Sequence, residues 1–275
     1  MMPQDLFSDS LVASPESQTP RLDVSEGSTA TGNDGYNEFT IHRQEGKRSS
    51  AQQLRTNRAK VNERNDLHPY VQTLSLSNLE SCVALENAVF SELERCAREK
   101  FIYRLTTCPE LCLGLFSSTP PNSPNASIPT FPTARPADSA SPDLKSVLIA
   151  MVISTKTMSP TVTDESMDVA PNWKINPSNT SIHGHREDGR TIAIHSLSVL
   201  PAFQGRGLGK TIMKAYQQRM ETSGIADRMA LLAHDHLEEM YEGMGFENKG
   251  KSDVRFAGGG WNSLTYEFAE HGPGS

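Results

Sequence analysis

The sequence has no apolar run long enough to cross a membrane and no segment that is typical of a secretory signal. A membrane-spanning helix needs about 20 consecutive apolar residues, and no stretch of this 275-residue chain reaches that length. The first ten residues carry acidic side chains, whereas a signal peptide begins with a basic region and an apolar stretch. We therefore expect a soluble, cytoplasmic protein that does not act at a membrane.

Cysteine and positive charge are also scarce. The four cysteines form no CxxC pair, so we expect reduced thiols and no metal site rather than a disulfide framework. The formal net charge is -7, which disfavours a general nucleic-acid-binding role and is compatible with a cationic substrate.

The low apolar content predicts that a folded core is diluted by polar segments. Hydrophobic residues make up 36% of the chain, which is low for a compact enzyme of this size. Residues 1–66 have no sustained apolar period and are predicted to form a disordered tail, which is a candidate docking segment for a protein partner. Residues 67–270 are predicted to form the folded domain, with flexible, Pro-rich insertions at about 117–142 and 155–190, and residues 271–275 a short tail.

Within the domain, apolar periodicity alternates between the periods of strands and helices. Strands are predicted at 70–74, 111–116, 147–154, 191–200, 229–233, near 246 and at 262–268. Helices are predicted at 79–90, 93–105, 207–221 and 236–243. This alternation predicts a mixed α/β (α+β) domain.

A glycine-rich turn joins the strand at 191–200 to the next helix. It reads Gln204-Gly205-Arg206-Gly207-Leu208-Gly209. Glycines let backbone N–H groups approach an anion, and the first N–H groups of a helix can bind phosphate. A P-loop would require glycine at 204, and the dinucleotide motif GxGxxG would require it at 210 or 212, where the chain has Lys210 and Ile212. The segment fits Q/R-x-x-G-x-G/A instead.

That pattern resembles the pyrophosphate loop of the GCN5-related N-acetyltransferases (GNATs). Residues 195–199 and 241–246 are similar to the same superfamily, and residues 108–114 resemble its aralkylamine (serotonin) N-acetyltransferase branch, in particular fungal relatives that include polyamine acetyltransferases. The resemblance covers about residues 70–268, apart from the two insertions. Nothing before residue 70 matches.

The resemblance implies the GNAT fold, a mixed and mostly antiparallel sheet with flanking helices and a splayed central strand pair. The two splayed strands would be those at 191–200 and 229–233, with acetyl-CoA as co-substrate in the gap between them. The acceptor pocket would be lined by Leu197 and Leu232. The residues implied to bind the cofactor are Leu197, Ser198, Val199, Gln204, Gly205, Arg206, Gly207, Leu208, Gly209 and Tyr241.

Acetyl transfer from a thioester to an amine needs a group that accepts the amine proton and a group that protonates the leaving thiolate. His195 is the predicted base, acting through water, and Tyr241 is the predicted acid. The animal aralkylamine enzymes carry an H-x-H pair on this strand, and here Ala193 replaces the first histidine. The expected substrate is the primary amine of a small molecule, either an arylalkylamine such as serotonin or tryptamine, or a polyamine.

Several alternatives stay open at this point. One alternative is a protein acetyltransferase that modifies lysine or an amino terminus. Another is a non-catalytic interaction protein that binds acetyl-CoA. In the alternative interpretation, His195 and Tyr241 are core residues with satisfied hydrogen bonds and have no catalytic role. Asp235 is interpreted as a helix cap, and Glu92 and Glu94 as part of a solvated helix face.

Overall fold

The computed structural model describes residues 67–175 and 181–269. The predicted tails at 1–66 and 271–275 lie outside these residues. Within the described ranges, no helix has the length and apolar character that spanning a bilayer requires.

One sheet of eight strands runs through the described domain. The path of neighbouring strands is β1-β2-β4-β5-β6-β8-β7, and β3 pairs with β4 beside that path. Only β5 and β6 run parallel among the strand pairs of the described residues. The strands are β1 (Pro69–Thr73), β2 (Leu113–Thr119), β3 (Arg135–Asp138), β4 (Ser141–Thr157), β5 (Thr191–Val199), β6 (Arg228–Ala233), β7 (Glu247–Lys251) and β8 (Asn262–Glu267).

Helices cover the sheet. In the described ranges they are α1 (Leu79–Val89), α2 (Arg98–Thr107), α3 (Asp164–Met167), α4 (Leu208–Ser223) and α5 (Glu238–Glu242). The apolar stripe predicted for the helix after the glycine turn is buried, as its spacing requires: Leu208, Ile212, Met213, Tyr216 and Met220. α4 ends at Gly224, which adopts the left-handed conformation (φ 64°) common at helix ends.

The mixed, mostly antiparallel architecture that the sequence predicts is confirmed, with two differences in extent. The predicted helix at 93–105 begins only at Arg98, because residues 92–94 form a turn. The strand predicted at 147–154 is 17 residues long and runs from Ser141 to Thr157.

The first insertion, predicted to be flexible at 117–142, is instead folded against the core. It contains the end of β2, a short 3-10 helix at Pro124–Ser127, and β3 paired with β4. Thr130 is fully buried, and its hydroxyl donates to the carbonyl of Leu148 on β4 at 2.8 Å. A high content of Pro and Ser therefore does not prevent this segment from pairing with β4. Its flexibility in solution stays a prediction.

The second insertion, predicted at 155–190, is also largely packed where the structure describes it. β4 takes its first three residues, and α3 follows with a reciprocal cap between Thr163 and Ser166. The Asp164 carboxylate accepts hydrogen bonds from the backbone N–H groups of Arg255 and Phe256 at 3.0–3.2 Å. These bonds attach α3 to the segment between β7 and β8.

Candidate functional site

The central feature of the sheet is the point where β5 and β6 stop pairing. Their parallel ladder runs from Thr191 paired with Arg228 to Ile194 paired with Leu231, and residues 195–199 have no partner on β6. On its other side β5 continues to pair with β4 as far as Val199. The predicted splayed pair is therefore present, and it leaves a gap beside residues 195–199.

A β-bulge at His195 marks the start of the gap. Ile153 on β4 pairs with Ser196, and the next residue, Ser154, pairs with Ile194, so β5 carries one extra residue. A bulge bends its strand and increases the local twist. This distortion accounts for the parting of β5 from β6 immediately after Ile194.

The backbone of β5 presents hydrogen-bonding groups to the gap. The N–H of Leu200 donates to the carbonyl of Ile149, next to β4, at 2.9 Å. Because alternate residues of a strand direct their N–H and C=O groups to opposite edges, those of Leu197 and Val199 point toward the gap. This edge can therefore pair with an extended ligand, as an added strand would.

The glycine turn lies directly beyond the gap and begins α4. Gly205 and Gly207 have φ values of 68° and 75°, a conformation that side chains with a Cβ disfavour. The Gln204 side-chain amide donates to the carbonyl of Val199 at 3.0 Å, which joins the turn to the end of β5. Gln204 thus orients the turn through this contact.

The turn has features that suit a helix start to an anionic ligand. Gly207 is the N-cap of α4 and provides no side chain to bond the first N–H groups of the helix, which have no partner within it. A Cβ added at Gly205 would meet no atom within 4 Å, so the space beside the turn is open. Arg206 lies half-buried with its guanidinium 5.5 Å from the Phe203 ring centre and adds positive charge.

The two predicted catalytic residues lie on opposite faces of the sheet. Cross-strand partners share a face, so Thr155, Ala193 and Ala230 lie on one face, and Leu232 lies there too, two residues after Ala230. His195 also lies there, since its Nε2 is 2.8 Å from the Thr155 hydroxyl. We call this side, which α1 and α2 cover near the gap, the acceptor face.

Tyr241 belongs to the other face. Tyr216 on α4 bonds Ser154, which is adjacent to Thr155 and therefore points away from the acceptor face. Gln217 on α4 donates to the carbonyl of Met244, just after α5, at 2.9 Å, so α4 and α5 lie together. Tyr241 on α5 is fully buried against Phe246, with 5.7 Å between ring centres, and burial raises the pKa of its phenol far above the ordinary value.

His195 is fully buried, and its surroundings favour the neutral imidazole. Burial, followed by the nearby Arg104 guanidinium, lowers its pKa well below the ordinary 6.5. Within the described residues its Nδ1 atom has no hydrogen-bond partner. His195 therefore has one ring nitrogen satisfied by Thr155 and one available to a bound group or water.

A second titratable group on the acceptor face is absent from the sequence-based site. Glu86 on α1 is fully buried, with Oε1 2.9 Å from the N–H of Cys96 and Oε2 3.2 Å from the hydroxyl of Ser196. Ser196 in turn bonds Ser198 at 2.7 Å, and both serines belong to the stretch of β5 that has left β6. Burial raises the pKa of Glu86 to about 7.

The sequence does contain a signal for Glu86. Leu79, Cys82 and Glu86 follow the spacing of one helix face, and the first two are apolar. A carboxylate in that row is expected to be buried, and buried ionisable groups are frequent at functional sites.

Two further sequence interpretations are corrected on this side of the molecule. Glu94 is not on a solvated helix face, because it lies in a turn and is only 4% exposed. Asp235 does not cap a helix, since its carboxylate bonds Lys251 and Asn262 while His234 occupies the N-cap position. Among the described residues, no group of three or more His, Cys, Asp or Glu side chains is arranged to hold a metal ion.

The parted strands, the glycine turn and the helix that follows it belong to one continuous stretch of the chain. The model of the acetyltransferase (GNAT) domain family matches residues 151–263, from within β4 into β8. The matched segment contains both strands of the gap, the glycine turn and Tyr241.

The similar solved structures are distant in sequence. The loading GNATL domain of CurA from Lyngbya majuscula is 11% identical, with 72% of this chain and 97% of that domain aligned and a TM-score of 0.48. The GphF GNAT-like decarboxylase in complex with isobutyryl-CoA is 12% identical, with coverages of 72% and 98% and a TM-score of 0.47. The ribosomal-protein-S18-alanine N-acetyltransferase from Escherichia coli is 11% identical, with coverages of 75% and 98% and a TM-score of 0.42. No curated protein sequence matches the chain.

Proposed function

We propose that this protein transfers the acetyl group of acetyl-CoA to the primary amine of a small molecule, either an arylalkylamine or a polyamine. The observation that carries the proposal is the parting of β5 from β6 directly ahead of the glycine turn. This arrangement supplies an unpaired strand edge for the pantetheine arm and helix N–H groups for the pyrophosphate. A cytoplasmic location remains part of the proposal.

Two groups of residues beside the gap are proposed to bind different parts of acetyl-CoA. Leu197 offers its backbone N–H and C=O, and Val199, beyond Ser198, offers its N–H, since the Val199 carbonyl accepts from Gln204. The turn from Gln204 to Gly209 offers N–H groups and the charge of Arg206. Acetyl-CoA supplies the acetyl group as an activated thioester. Leu232, buried on the acceptor face, is proposed to border the acceptor amine. Leu197, also predicted to line the acceptor pocket, pairs with Val152 and therefore has its side chain on the opposite face.

The amine must lose a proton as its nitrogen forms the new N–C bond and the C–S bond breaks. A proton acceptor works best when its pKa lies near the working pH. Glu86, with a pKa of about 7, meets this condition better than His195, whose pKa is well below the ordinary value. We propose Glu86 as the principal acceptor, acting through the Ser196 hydroxyl or a water, and His195 as the second candidate, acting through a water at Nδ1.

The departing thiolate must gain a proton. Tyr241 is proposed to supply it from the opposite face, because its raised pKa keeps the phenol protonated at neutral pH. Replacement by phenylalanine is expected to lower turnover with little change in acetyl-CoA affinity.

The decisive experiment measures thiol release from acetyl-CoA with tryptamine, phenethylamine, spermidine, putrescine and a lysine peptide, alongside calorimetric binding of acetyl-CoA. Turnover with a free amine supports the proposal. Turnover with the peptide alone would replace it with protein acetylation, and acetyl-CoA binding without turnover would replace it with a cofactor-binding role. Absence of binding would reject the cofactor assignment itself.

A further inference from the structure

A polar cavity lies between the segment that begins α3 and the end of β7. Its volume is about 410 Å³, which is within the range of pockets that hold small molecules. Residues 161–165 form one wall, residues 249 and 251–254 form the other, and Ser263 on β8 also lines the space. We call it the α3–β7 cavity.

The hydroxyl of Ser263 indicates that a ligand belongs in this cavity. Ser263 is 6% exposed, and within the described ranges its Oγ atom has no hydrogen-bond partner. Buried polar atoms are nearly always paired, and the cavity that Ser263 lines is large enough for a bound molecule to supply the partner. A ligand with a polar group at the β8 side of the cavity would satisfy this hydroxyl.

Both walls of the cavity are fixed by their own hydrogen bonds. The Asp164 carboxylate accepts from the N–H groups of Arg255 and Phe256 at 3.0–3.2 Å, which joins the first wall to the segment after β7. On the second wall, the Ser252 hydroxyl accepts from the N–H of Val254 at 3.3 Å. The cavity is therefore preformed, which lowers the entropic cost of binding.

The two walls present charges of opposite sign. Glu165 lies on the first wall, and Lys249 and Lys251 lie on the second, together with one acid, Asp253. Among the described residues, no ion pair joins the first wall to the second. A molecule that carries both charges can therefore bridge the two walls.

The lysines of the second wall have partners that lie outside the cavity lining. Lys249 pairs with Glu247 at 2.7 Å, and Lys251 pairs with Asp235. The Glu247 and Asp235 side chains are both largely exposed, and exposed ion pairs are weak. A ligand carboxylate can therefore replace such a partner at little cost.

This arrangement matches a zwitterion. A ligand carboxylate can bond Lys249, and a ligand ammonium can bond Glu165 on the opposite wall. Ser263 suits either group, because a hydroxyl both donates and accepts. A polycation would meet two lysines and a simple anion would meet acids on both walls, so neither complements the whole cavity.

We propose that the α3–β7 cavity binds a free α-amino acid in its zwitterionic form. This site goes beyond the proposed acetyl transfer, because an ammonium that donates to Glu165 stays protonated and is not a nucleophile. The amino acid is thus a ligand of the protein and not an acetyl acceptor.

The test measures the binding of L-glutamine to the full chain by titration calorimetry. N-acetylglutamine lacks the ammonium and the α-amide of glutamine lacks the carboxylate, so each should bind at least about 10-fold more weakly than glutamine. A Kd for either derivative equal to that of glutamine, or no binding of glutamine, would overturn the proposal.

Three variants locate the site. Lys249→Gln and Glu165→Gln should each raise the glutamine Kd about 10-fold. Ser263→Ala should raise it about 3-fold without lowering the melting temperature of the protein alone, because the hydroxyl that it removes is unpaired there. Lys214→Gln is the matched control, since Lys214 is exposed on α4 and does not line the cavity, and it should leave the Kd unchanged.

Unchanged glutamine binding in all three cavity variants would reject the α3–β7 cavity as the site. A lower melting temperature for Ser263→Ala, with the same Kd, would show that the hydroxyl has a structural role and would count against the proposal. Acetylation of glutamine would make it an acceptor and would also overturn the assignment. Absence of thiol release with the amine panel would reject the proposed function and leave glutamine binding in place.

Discussion

The cofactor side and the acceptor side of the gap between β5 and β6 are constructed differently. On the cofactor side, the strand edge and the glycine turn form one continuous segment, residues 195–209. On the acceptor side, Glu86, Thr155 and Leu232 come from α1, β4 and β6, three separate elements that only the fold brings together. The geometry of the continuous segment depends mainly on local sequence, whereas that of the dispersed set depends on how separate elements pack together.

The largest expected effect separates the two proton acceptors of the acceptor side. Glu86→Gln should lower kcat/KM by about 10² to 10³-fold, the range typical of a lost acid or base. It should also remove the rise in rate with pH near 7 that ionisation of Glu86 produces. His195→Gln should keep that rise, since the His195 pKa lies well below the neutral range.

The check is a pH profile of kcat/KM from about pH 5.5 to 9 for all three proteins. If the rise in kcat/KM with pH disappears in His195→Gln and persists in Glu86→Gln, His195 would be the principal proton acceptor instead of Glu86.

A second prediction concerns the loss of folding stability that ionisation of the buried Glu86 side chain causes. The folded state raises the pKa of Glu86 from 4.5 to about 7, so the folded protein binds this proton more tightly than the unfolded chain. The associated stabilisation is complete below pH 4.5 and is lost as pH rises through about 7. Relative to Glu86→Gln, the free energy of unfolding should fall by an amount on the order of 3 kcal/mol.

Urea unfolding of both proteins at about pH 5 and pH 8 measures this difference. Parallel changes in the two proteins would show that the carboxyl group titrates normally in the folded state.

The third prediction tests the cofactor side with two glycines at opposite ends of α4. Gly207 and Gly224 both have left-handed backbones, with φ of 75° and 64°, so alanine at either position should destabilise the fold by about 1 kcal/mol. Only Gly207→Ala places a Cβ beside the proposed pyrophosphate position. It should raise the acetyl-CoA Kd about 10-fold, corresponding to roughly 1.4 kcal/mol, whereas Gly224→Ala should leave it unchanged. Equal Kd values in titration calorimetry would argue against this turn as the anion site.

The smallest effect concerns a region remote from both sides of the gap. Thr130→Val removes the buried hydrogen bond to Leu148 and should destabilise the protein by about 1 kcal/mol. Ser127→Ala, which removes an exposed hydroxyl bond to Pro124, should change stability by less than about 0.5 kcal/mol. Thermal melting of both variants would reveal whether 117–142 is part of the cooperative fold. Equal melting temperatures for the two variants and the unmodified protein would support the expectation of a flexible insertion.

The sequence predicts the cofactor side well because its information is local. Glycines at 205, 207 and 209 and the apolar stripe of α4 lie within one window, and the structure has the turn and helix that they predict. Glu86 was not identified as a site residue, because its burial depends on packing against segments that are distant in the sequence. The contacts of the two Pro-rich insertions with β4 and with the β7 to β8 segment were not predicted for the same reason.

The length of β4 connects parts of the molecule that are otherwise remote. At about 3.3 Å per residue, its 17 residues extend from the hairpin with β3 to Thr155, the partner of His195. No loop interrupts this path to absorb a displacement, and a one-residue slip of a strand exchanges its two faces. Insertions or deletions within β4 should therefore displace His195 from its partner Thr155. Those in the turn that joins β3 to β4 should leave His195 in place.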